Sequence, residues 1–565
     1  MALLMAAALA SAPGVPAYAQ VRMPALGDNG DDGLTIASER RYGDQIMREV
    51  RRDPAYFDDP VLLEYAQGLW QRLVEAAVRR GDIGEDVRTQ FPWELFLVRD
   101  RSVNAFALPG GYVGVHLGLI GLTGSTDELA SVLAHELSHV SQRHIARGMA
   151  SAGRQGALGL AAMILGVLAA SRANSPDLAQ AAIAGGQAAM IQGQLNFSRE
   201  MEREADRIGL AVLQDAGFVP TGMARMFEKL EQSSRLNDAG QYPYLRTHPL
   251  TIERVAETRA RVGFAPEAPV PDAQLHALMQ ARARVWMDDS VDAWRRLAAQ
   301  ADSLSVPQAA PASAPAASLR EQLGVLYGAA LAQSRLQQHE AARANAQALQ
   351  RLAREAGAPP AVRRAAVLLQ AEVELAAGAP ARARALLDDA EVAAALLRPG
   401  MLLRGQAAWQ AAVAGAAGAT GAAGPGGAAG AAGAAGAVLA PVSPVAREVR
   451  EALVESAGAL QTWVAQHRAD AAAWQLLARH HDVLGQPLRA ARAWAETRAA
   501  LGDLGAAVDL LRTARRTVPA STAADFIEAS VIDARLRELE AQRREIAREL
   551  RGGTRAQGAR EDGGG

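Results

Sequence analysis

Five consecutive residues carry the clearest chemistry in the sequence: His135, Glu136, Leu137, Ser138 and His139. An α-helix repeats every 3.6 residues, so the two histidines lie about one turn apart on the same face. Their imidazole rings can share one metal ion, and this spacing is typical of zinc sites. Glu136 is then placed to accept a proton from a water molecule that the metal activates. Ordinary helices also carry histidine pairs, so the prediction of a zinc hydrolase needs support from other residues.

The residues around this motif predict the helix that holds it. Ser125 and Glu128 have the spacing of a capping box, which marks a helix start. Glu136 falls within the apolar stripe that follows, formed by Leu129, Val132, Leu133 and Val140. Burying a carboxylate is costly, so its position there favours a catalytic role. His144 lies well round the helix from the histidine pair, and we interpret it as a supporting or structural residue.

A zinc peptidase site needs a third protein ligand, and an acidic segment downstream offers one. Glu202 and Asp206 are four residues apart, so on a helix they share a face. Glu202 can bind the metal, while Asp206 can hold the far nitrogen of a ligand histidine and select its tautomer. Acidic residues in this pattern usually indicate a solvated helix face, but beside the histidine motif they predict a completed site with one Zn²⁺ per chain.

A pair of strands is predicted before the motif. Residues 91–98 are apolar enough for one strand, and residues 105–115 form a second, interrupted by proline and glycine. Such a strand suits the edge of a sheet, where free peptide groups can pair with an extended peptide. An ordinary hairpin is the alternative. The predicted substrate-binding edge comprises Asn104, Ala105, Phe106, Ala107, Pro109, Gly110 and Gly111.

Four stretches together resemble the zinc metallopeptidases of peptidase family M48. They are residues 104–112, 135–144, 202–206 and 247–249, within a region of roughly residues 35–265. The resemblance implies that His135, His139 and Glu202 bind zinc. It also implies that Glu136 is the general base and that Asp206 supports a ligand histidine.

The resemblance is strongest to a periplasmic branch of the family that carries helical repeats. In that branch a histidine equivalent to His248 lies in a loop over the site and can approach the metal. From the sequence alone, a histidine before a proline is equally consistent with a turn. A His248 that binds zinc would occupy the position of the water molecule and make the resting enzyme inactive. The branch further implies a role in quality control of outer-membrane protein assembly, with unfolded or misassembled proteins as substrates.

Composition bounds the remaining possibilities. At 565 residues the chain is too long for one core, and its formal net charge of −2 provides no field that attracts nucleic acid. Residues 1–19 resemble an export signal, with an apolar run and a small-x-small cleavage site, although no basic residue precedes the run. The chain has no cysteine, so no disulfide framework or lipoprotein anchor is expected. We expect a periplasmic protein that is soluble or peripherally membrane-associated.

One apolar segment could contact a membrane. Residues 156–170 are shorter than the ~20 residues that a spanning helix needs. We interpret them as a buried or site-covering helix, and contact with a membrane surface is the alternative. Residues 174–194 are rich in Ala, Gly and Gln and are predicted to form a lid beside the cleft.

The second half of the chain predicts a different architecture. Alanine, leucine and arginine dominate residues 269–410 and 446–551, and Trp474, Gly485 and Trp494 fit the spacing of a tetratricopeptide repeat. A Gly/Ala-rich disordered linker is predicted at 411–445 and a disordered tail at 552–565. The fold class is therefore α+β and mostly α. A zincin-type metallopeptidase domain at 20–268, with a small edge-stranded sheet, precedes an α-helical tetratricopeptide-like solenoid.

The repeats leave a second class of function open. Stacked helix pairs form a concave surface that binds peptides or partner proteins. The repeats could dock clients or the outer-membrane assembly machinery, or they could make the protein mainly a periplasmic chaperone or scaffold with minor proteolysis. A plain helical bundle is the structural alternative to a solenoid.

Overall fold

The computed structural model describes residues 34–152, 199–236, 242–263, 272–305, 318–388, 397–421 and 444–561. The predictions for the export signal, for the apolar segment 156–170 and for the lid 174–194 fall outside the described residues. None of the helices in the described part combines the length and the apolar character that crossing a bilayer requires.

The N-terminal unit contains a small sheet surrounded by helices. Its elements are α1 (Ile36–Val50), β1 (Tyr56–Phe57), α2 (Pro60–Arg80), α3 (Glu85–Gln90), β2 (Glu94–Val98), β3 (Ala105–Leu108), β4 (Tyr112–His116), α4 (Leu117–Leu122), α5 (Thr126–Ser141), α6 (His144–Ala152), α7 (Arg199–Asp215), α8 (Thr221–Leu236), α9 (Pro243–Thr247) and α10 (Ile252–Val262).

The four strands are arranged in the order β1-β2-β4-β3, which leaves β3 at one edge. β2 runs parallel to β4, whereas β3 and β4 form an antiparallel hairpin. The single interrupted strand predicted for residues 105–115 is therefore wrong. Gly110 and Gly111 have φ angles of 76° and 95°, a left-handed conformation that reverses the chain. β2 also begins later than predicted, at Glu94, because Trp93 has a φ of 50° and departs from extended geometry.

The two faces of the sheet pack against different helices, because alternate side chains of a strand point to opposite sides. One face contributes to the main core with α2 and α5, through Leu95, Leu97, Ala105, Val113 and Val115. The other face packs on Ile46, Met47 and Val50 of α1, through Phe96, Val98, Leu108 and Tyr112. The edge strand β3 lies alongside α5, so the predicted peptide-binding edge borders the histidine motif.

Helix α5 crosses the interior of the N-terminal unit. It begins as predicted after Ser125, whose hydroxyl accepts a hydrogen bond from the backbone amide of Glu128. The capping box is half formed, since the Glu128 carboxylate accepts from the amide of Gly124 instead of that of Ser125. Every residue of α5 from Thr126 to Val140 is buried. A helix buried all round carries polar side chains at a cost, so those of the motif need partners.

The C-terminal half is entirely helical in its described ranges. Its helices are α11 (Ala273–Trp286), α12 (Val291–Ser305), α13 (Leu319–Arg335), α14 (His339–Glu355), α15 (Pro360–Ala376), α16 (Pro380–Leu387), α17 (Arg398–Gly421), α18 (Pro444–Gln466), α19 (Ala471–Val483), α20 (Pro487–Ala500), α21 (Leu504–Thr517) and α22 (Ala523–Glu561). Most consecutive helices pack on one another, as in a helical solenoid. The predicted fold class, mostly helical with a small sheet and a helical solenoid, is confirmed.

Three helix ends differ from the prediction. Helix α17 continues to Gly421, inside the segment 411–445 that we predicted to be disordered, and α18 already begins at Pro444. The last helix extends past residue 551 to Glu561, so most of the predicted tail is helical. Alanine, the strongest helix former, recurs between the glycines of residues 411–421, and alanine, arginine and glutamine do so in residues 552–561.

Two arginines, one buried and one partly buried, join the two halves. Arg282 of α11 makes a bidentate ion pair with Asp59 at 2.6 and 2.7 Å, and it also reaches Glu372 of α15. Arg398 of α17 pairs with Asp58 at 2.6 Å and with Asp470 at 2.7 Å. The tandem aspartates before α2 are therefore held by two helices of the C-terminal half, which orients the solenoid on the N-terminal unit.

Candidate metal centre

Three separate segments bring together four side chains that could bind a metal ion. His135 and His139 come from α5, Glu202 comes from the first turn of α7, and His248 follows α9. Their ligand atoms all lie within 4.8 Å of one another, and all four side chains are buried. The sequence predicted the first three as ligands and left His248 open between a turn and a ligand. The structure places all four around one point.

The spacing of these atoms fits a zinc ion. Nε2 of His135 lies 3.0 Å from Nε2 of His139, and the Glu202 oxygens lie 3.4 and 3.5 Å from the same two nitrogens. Ligand atoms bound to one tetrahedral zinc ion lie about 3.4 Å apart, given metal–ligand bonds of about 2.1 Å. Two imidazoles and one carboxylate are also a donor set that catalytic zinc sites use. The residues present therefore fit the metal.

Helix α7 is held close to α5 by a small residue. A Cβ added at Gly209 would lie 3.1 Å from the carbonyl carbon and oxygen of Ala134, and 3.2 Å from the amide nitrogen of His135. The two backbones therefore touch at this point, one turn before the second motif histidine. Glu202 lies about two turns earlier on α7, on the same face as Gly209.

Asp206 supports His135 from behind, where the sequence predicted a supporting residue. Its Oδ1 lies 3.0 Å from Nδ1 of His135, on the opposite side of the ring from the metal-facing nitrogen. Burial alone lowers the pKa of His135, but its interactions with Asp206 and Glu202 raise it to about 9. The position of Asp206 selects the tautomer in which Nε2 faces the metal position.

Arg254 is a site residue that the sequence does not single out. The side chain is 4% exposed and pairs with both oxygens of Asp206, and its Nη1 also lies 2.8 Å from Oε2 of Glu202. A further hydrogen bond to the carbonyl of Pro249 connects it to the loop that carries His248. The only signal in the sequence is that Arg254 lies in the first turn of a helix that follows the His-Pro pair. An arginine in the first turn of a helix is too common to indicate a functional site.

His144 lies behind the second motif histidine. Its Nδ1 is 2.8 Å from Nδ1 of His139, and its Nε2 is 3.1 Å from Oε2 of Glu204. His144 is not part of the group that could hold the metal, in keeping with a supporting role. Burial lowers the pKa of His144, and the hydrogen bond to Glu204 opposes this.

Glu136 lies beside the metal group and is completely buried. Neither of its carboxylate oxygens has a well-formed hydrogen bond among the described residues, although the backbone of Ala107 is near enough to lower its pKa. Nε2 of His248 lies 3.5 Å from Oε1 of Glu136. Burial raises the pKa of Glu136, which the neighbouring His248 and His135 partly oppose. An unpaired buried carboxylate is expensive, so it favours a group that acts on a proton.

His248 fills the remaining side of the cluster. Its Nδ1 lies 2.9 Å from Oε1 of Glu202, and 3.4 Å from Nε2 of His135. The ring is stacked on Tyr244, with centroids 4.8 Å apart, so α9 holds it in place. Burial alone raises the pKa of Glu202, but His248 and His135 more than reverse this and hold it well below its usual value.

The predicted peptide-binding edge lies next to this cluster. The amide of His116 donates to the carbonyl of Asn104, and the β3–β4 register pairs Ala105 with Val115. Because paired residues of an antiparallel ladder alternate in hydrogen bonding, the peptide groups of Ala105 and Ala107 point away from β4. The Val103 carbonyl belongs to the same outward row, and it accepts a hydrogen bond of 3.4 Å from the amide of Tyr244.

Comparison with known proteins agrees with this geometry. Residues 66–262 match the model of Peptidase family M48. The chain is also 30% identical over 243 residues to mitochondrial metalloendopeptidase OMA1 of Schizosaccharomyces pombe. That alignment covers 42% of this chain and 67% of that protein. The chain belongs to peptidase family M48. The predicted resemblance is thereby confirmed, as is the assignment of a zinc metallopeptidase domain.

Bacterial relatives are more similar in sequence. The putative beta-barrel assembly-enhancing protease of Vibrio cholerae is 40% identical over 279 residues, which is 49% of this chain and 54% of that protein. The beta-barrel assembly-enhancing protease of Escherichia coli K12 is 37% identical over 248 residues, or 44% of this chain and 48% of that protein. The chain thus spans about half the length of these curated relatives.

Proposed function

We propose that this M48-family chain is a zinc metalloendopeptidase that hydrolyses peptide bonds in the periplasm. The observation that carries the proposal is the convergence of His135, His139 and Glu202 on one point, with the unpaired carboxylate of Glu136 beside it. When bound there, zinc supplies Lewis acidity, which polarises a peptide carbonyl and makes water a stronger nucleophile.

The protein's own groups complete the reaction. Glu136 accepts the proton of the attacking water and delivers it to the nitrogen of the leaving amine. Its raised pKa makes the carboxylate a stronger base than an exposed glutamate, which suits proton transfer near neutral pH. Asp206 and Arg254 hold His135 and Glu202 in position, so these two side chains need not be reoriented when the substrate binds.

The substrate is proposed to bind as an added strand along β3. The outward peptide groups of Ala105 and Ala107 offer donors and acceptors to an extended chain, and this recognition does not depend on substrate side chains. The peptide would then pass between β3 and the histidine pair. Asn104, Phe106, Pro109, Gly110 and Gly111 shape the strand and its turn.

The resting site is proposed to be closed by His248. This side chain fits among the other three ligands and leaves no fourth position for water on a tetrahedral ion. The hydrogen bond from the Tyr244 amide to Val103 also places α9 at the start of the substrate edge. Substrate binding would therefore require α9 and His248 to move together.

A role in quality control of outer-membrane protein assembly is supported by the names of the bacterial relatives, which are called beta-barrel assembly-enhancing proteases. The proposed substrates are unfolded or misassembled proteins, and the solenoid is proposed to dock these clients or the assembly machinery. The size of the solenoid also supports a second candidate, a scaffold or chaperone with minor proteolysis.

One set of measurements tests the enzyme proposal. Purified wild type should contain about one zinc ion per chain, and His139→Ala should lose it. Glu136→Gln should keep zinc but lose about 10²- to 10⁴-fold in peptide hydrolysis. Equal zinc in wild type and His139→Ala would overturn the proposal. Complete rescue of a deletion strain by Glu136→Gln would favour the scaffold as the main function.

A further inference from the structure

The two motif histidines are supported in different ways. His135 is backed directly by a carboxylate, since Asp206 lies 3.0 Å from its Nδ1. For His139, the described contact of Nδ1 is with another imidazole ring. The atom 2.8 Å from that nitrogen is Nδ1 of His144, a side chain with no exposed surface.

The hydrogen bonds permit one arrangement of protons once His139 binds a metal. Its Nε2 is the metal-facing atom, so its Nδ1 carries the proton and donates. Nδ1 of His144 must then accept, which places the proton of that ring on Nε2. This nitrogen lies 3.1 Å from Oε2 of Glu204, which accepts it.

We propose that His144 is a positioning residue for the metal, which relays the support of Glu204 to the ligand His139. The carboxylate fixes the tautomer of His144, and His144 in turn fixes the tautomer and the ring orientation of His139. The role rests on the proposed zinc function. In this proposal Glu204 supports His139 as Asp206 supports His135, but it acts through the imidazole ring of His144.

The ends of this chain of residues differ in their contact with solvent. Glu204 is 28% exposed and pairs with Arg147 at 3.0 Å, whereas His144 is fully enclosed. Glu204 therefore lies at the surface, where its side chain can be changed without opening the core. This gives a test that does not depend on tolerance of a change at His144.

The test measures zinc affinity by competition with a chromophoric chelator, together with the stability of the zinc-free protein. Loss of a group that supports a metal ligand typically lowers affinity by about 10- to 100-fold. We expect that loss for His144→Leu and for Glu204→Leu. His144→Gln and Glu204→Gln each retain an acceptor, and both should recover most of the affinity.

The control is Glu200→Gln, at an exposed position on the same helix, which should bind zinc as wild type does. A purely structural role for His144 predicts lower stability of the zinc-free protein with unchanged affinity. That result, or wild-type affinity in Glu204→Leu, overturns the positioning role. Failure of the wild type itself to bind zinc would instead overturn the proposed function.

Discussion

Arg254 and Asp206 form a bidentate ion pair inside the protein, with Nε 2.6 Å from Oδ2 and Nη2 2.8 Å from Oδ1. The same guanidinium reaches Glu202, so one arginine balances two carboxylates on α7. Burial alone lowers the pKa of Arg254, but its bonds to Asp206 more than offset this and raise it. The pair connects α7, the loop of His248 and the support of His135.

Replacing Arg254 with methionine should destabilise the protein strongly. The change leaves two buried carboxylates without their cation, which typically costs about 3–5 kcal/mol. Arg259→Met is the matched control on α10, because that side chain is 56% exposed and its surface pair contributes at most about 1 kcal/mol. Urea unfolding of both variants measures the difference. Similar losses in the two variants would show that the buried pair adds nothing specific.

Replacing His248 with alanine should increase peptide hydrolysis. If His248 closes the metal position, the open state is a minor population of about 10% or less, so removing the side chain raises activity on the order of tenfold. Zinc content should stay unchanged, because His135, His139 and Glu202 remain. Cleavage of an unfolded protein is the readout, with the exposed Arg246→Ala as control. Activity at or below that of wild type, with zinc retained, would contradict the closed resting state.

Replacing Gly209 with alanine should weaken zinc binding. The added methyl group would lie 3.1 Å from the backbone of Ala134, which cannot move aside as a side chain can, so α7 must shift away from α5. Glu202 then moves relative to the histidine pair, and we expect at least a tenfold loss of zinc affinity. Gly68→Ala is the control, because its Cβ meets nothing within 4 Å and should stabilise α2 by about 1 kcal/mol. Unchanged zinc affinity in Gly209→Ala would show that this contact does not position Glu202.

The local part of the site could be predicted from the sequence. Helical spacing places His135 and His139 on one face whatever the surroundings, and the same argument joins Glu202 to Asp206. The contact between the histidine pair on α5 and the acidic pair on α7 depends on tertiary packing. For that packing the sequence offers only the family resemblance, and no physical argument predicts it. The close approach of the two backbones at Gly209 illustrates this, because nothing in the local sequence of α7 indicates which helix it contacts.

The missed features all depend on contacts between distant residues. Arg254 looks like any basic residue of a surface helix, and its buried role arises because it meets Asp206, 48 positions earlier. The sequence predicts an interruption of one strand at Pro109 and the two glycines that follow it. Locally, proline and glycine suit an interrupted strand as well as a tight turn. The turn is compatible with the packing because Gly110 lies against α1, where a Cβ would be 2.8 Å from Cα of Arg40.

The junction between the two halves should weaken in mild acid because of His276. With a neutral ring, this buried side chain accepts from the hydroxyl of Tyr65 at 2.7 Å and donates to the carbonyl of Thr123 at 2.9 Å. Burial lowers the pKa of His276 to about 4, against about 6.5 when unfolded. Above pH 6.5 both states are neutral and the native contacts have their full effect. As the pH falls from 6.5 to 4, the unfolded state binds the proton first, which removes about 3 kcal/mol of stability.

The measurement for His276 is urea unfolding at pH 7.5 and pH 5, in wild type and in His276→Gln. The variant is uncharged at both values, so its stability should fall less between them than that of wild type, by about 1–2 kcal/mol. Other buried histidines, such as His480, remain in both proteins and contribute equally to the pH dependence. An identical fall in the two proteins would mean that His276 is not held neutral at the junction.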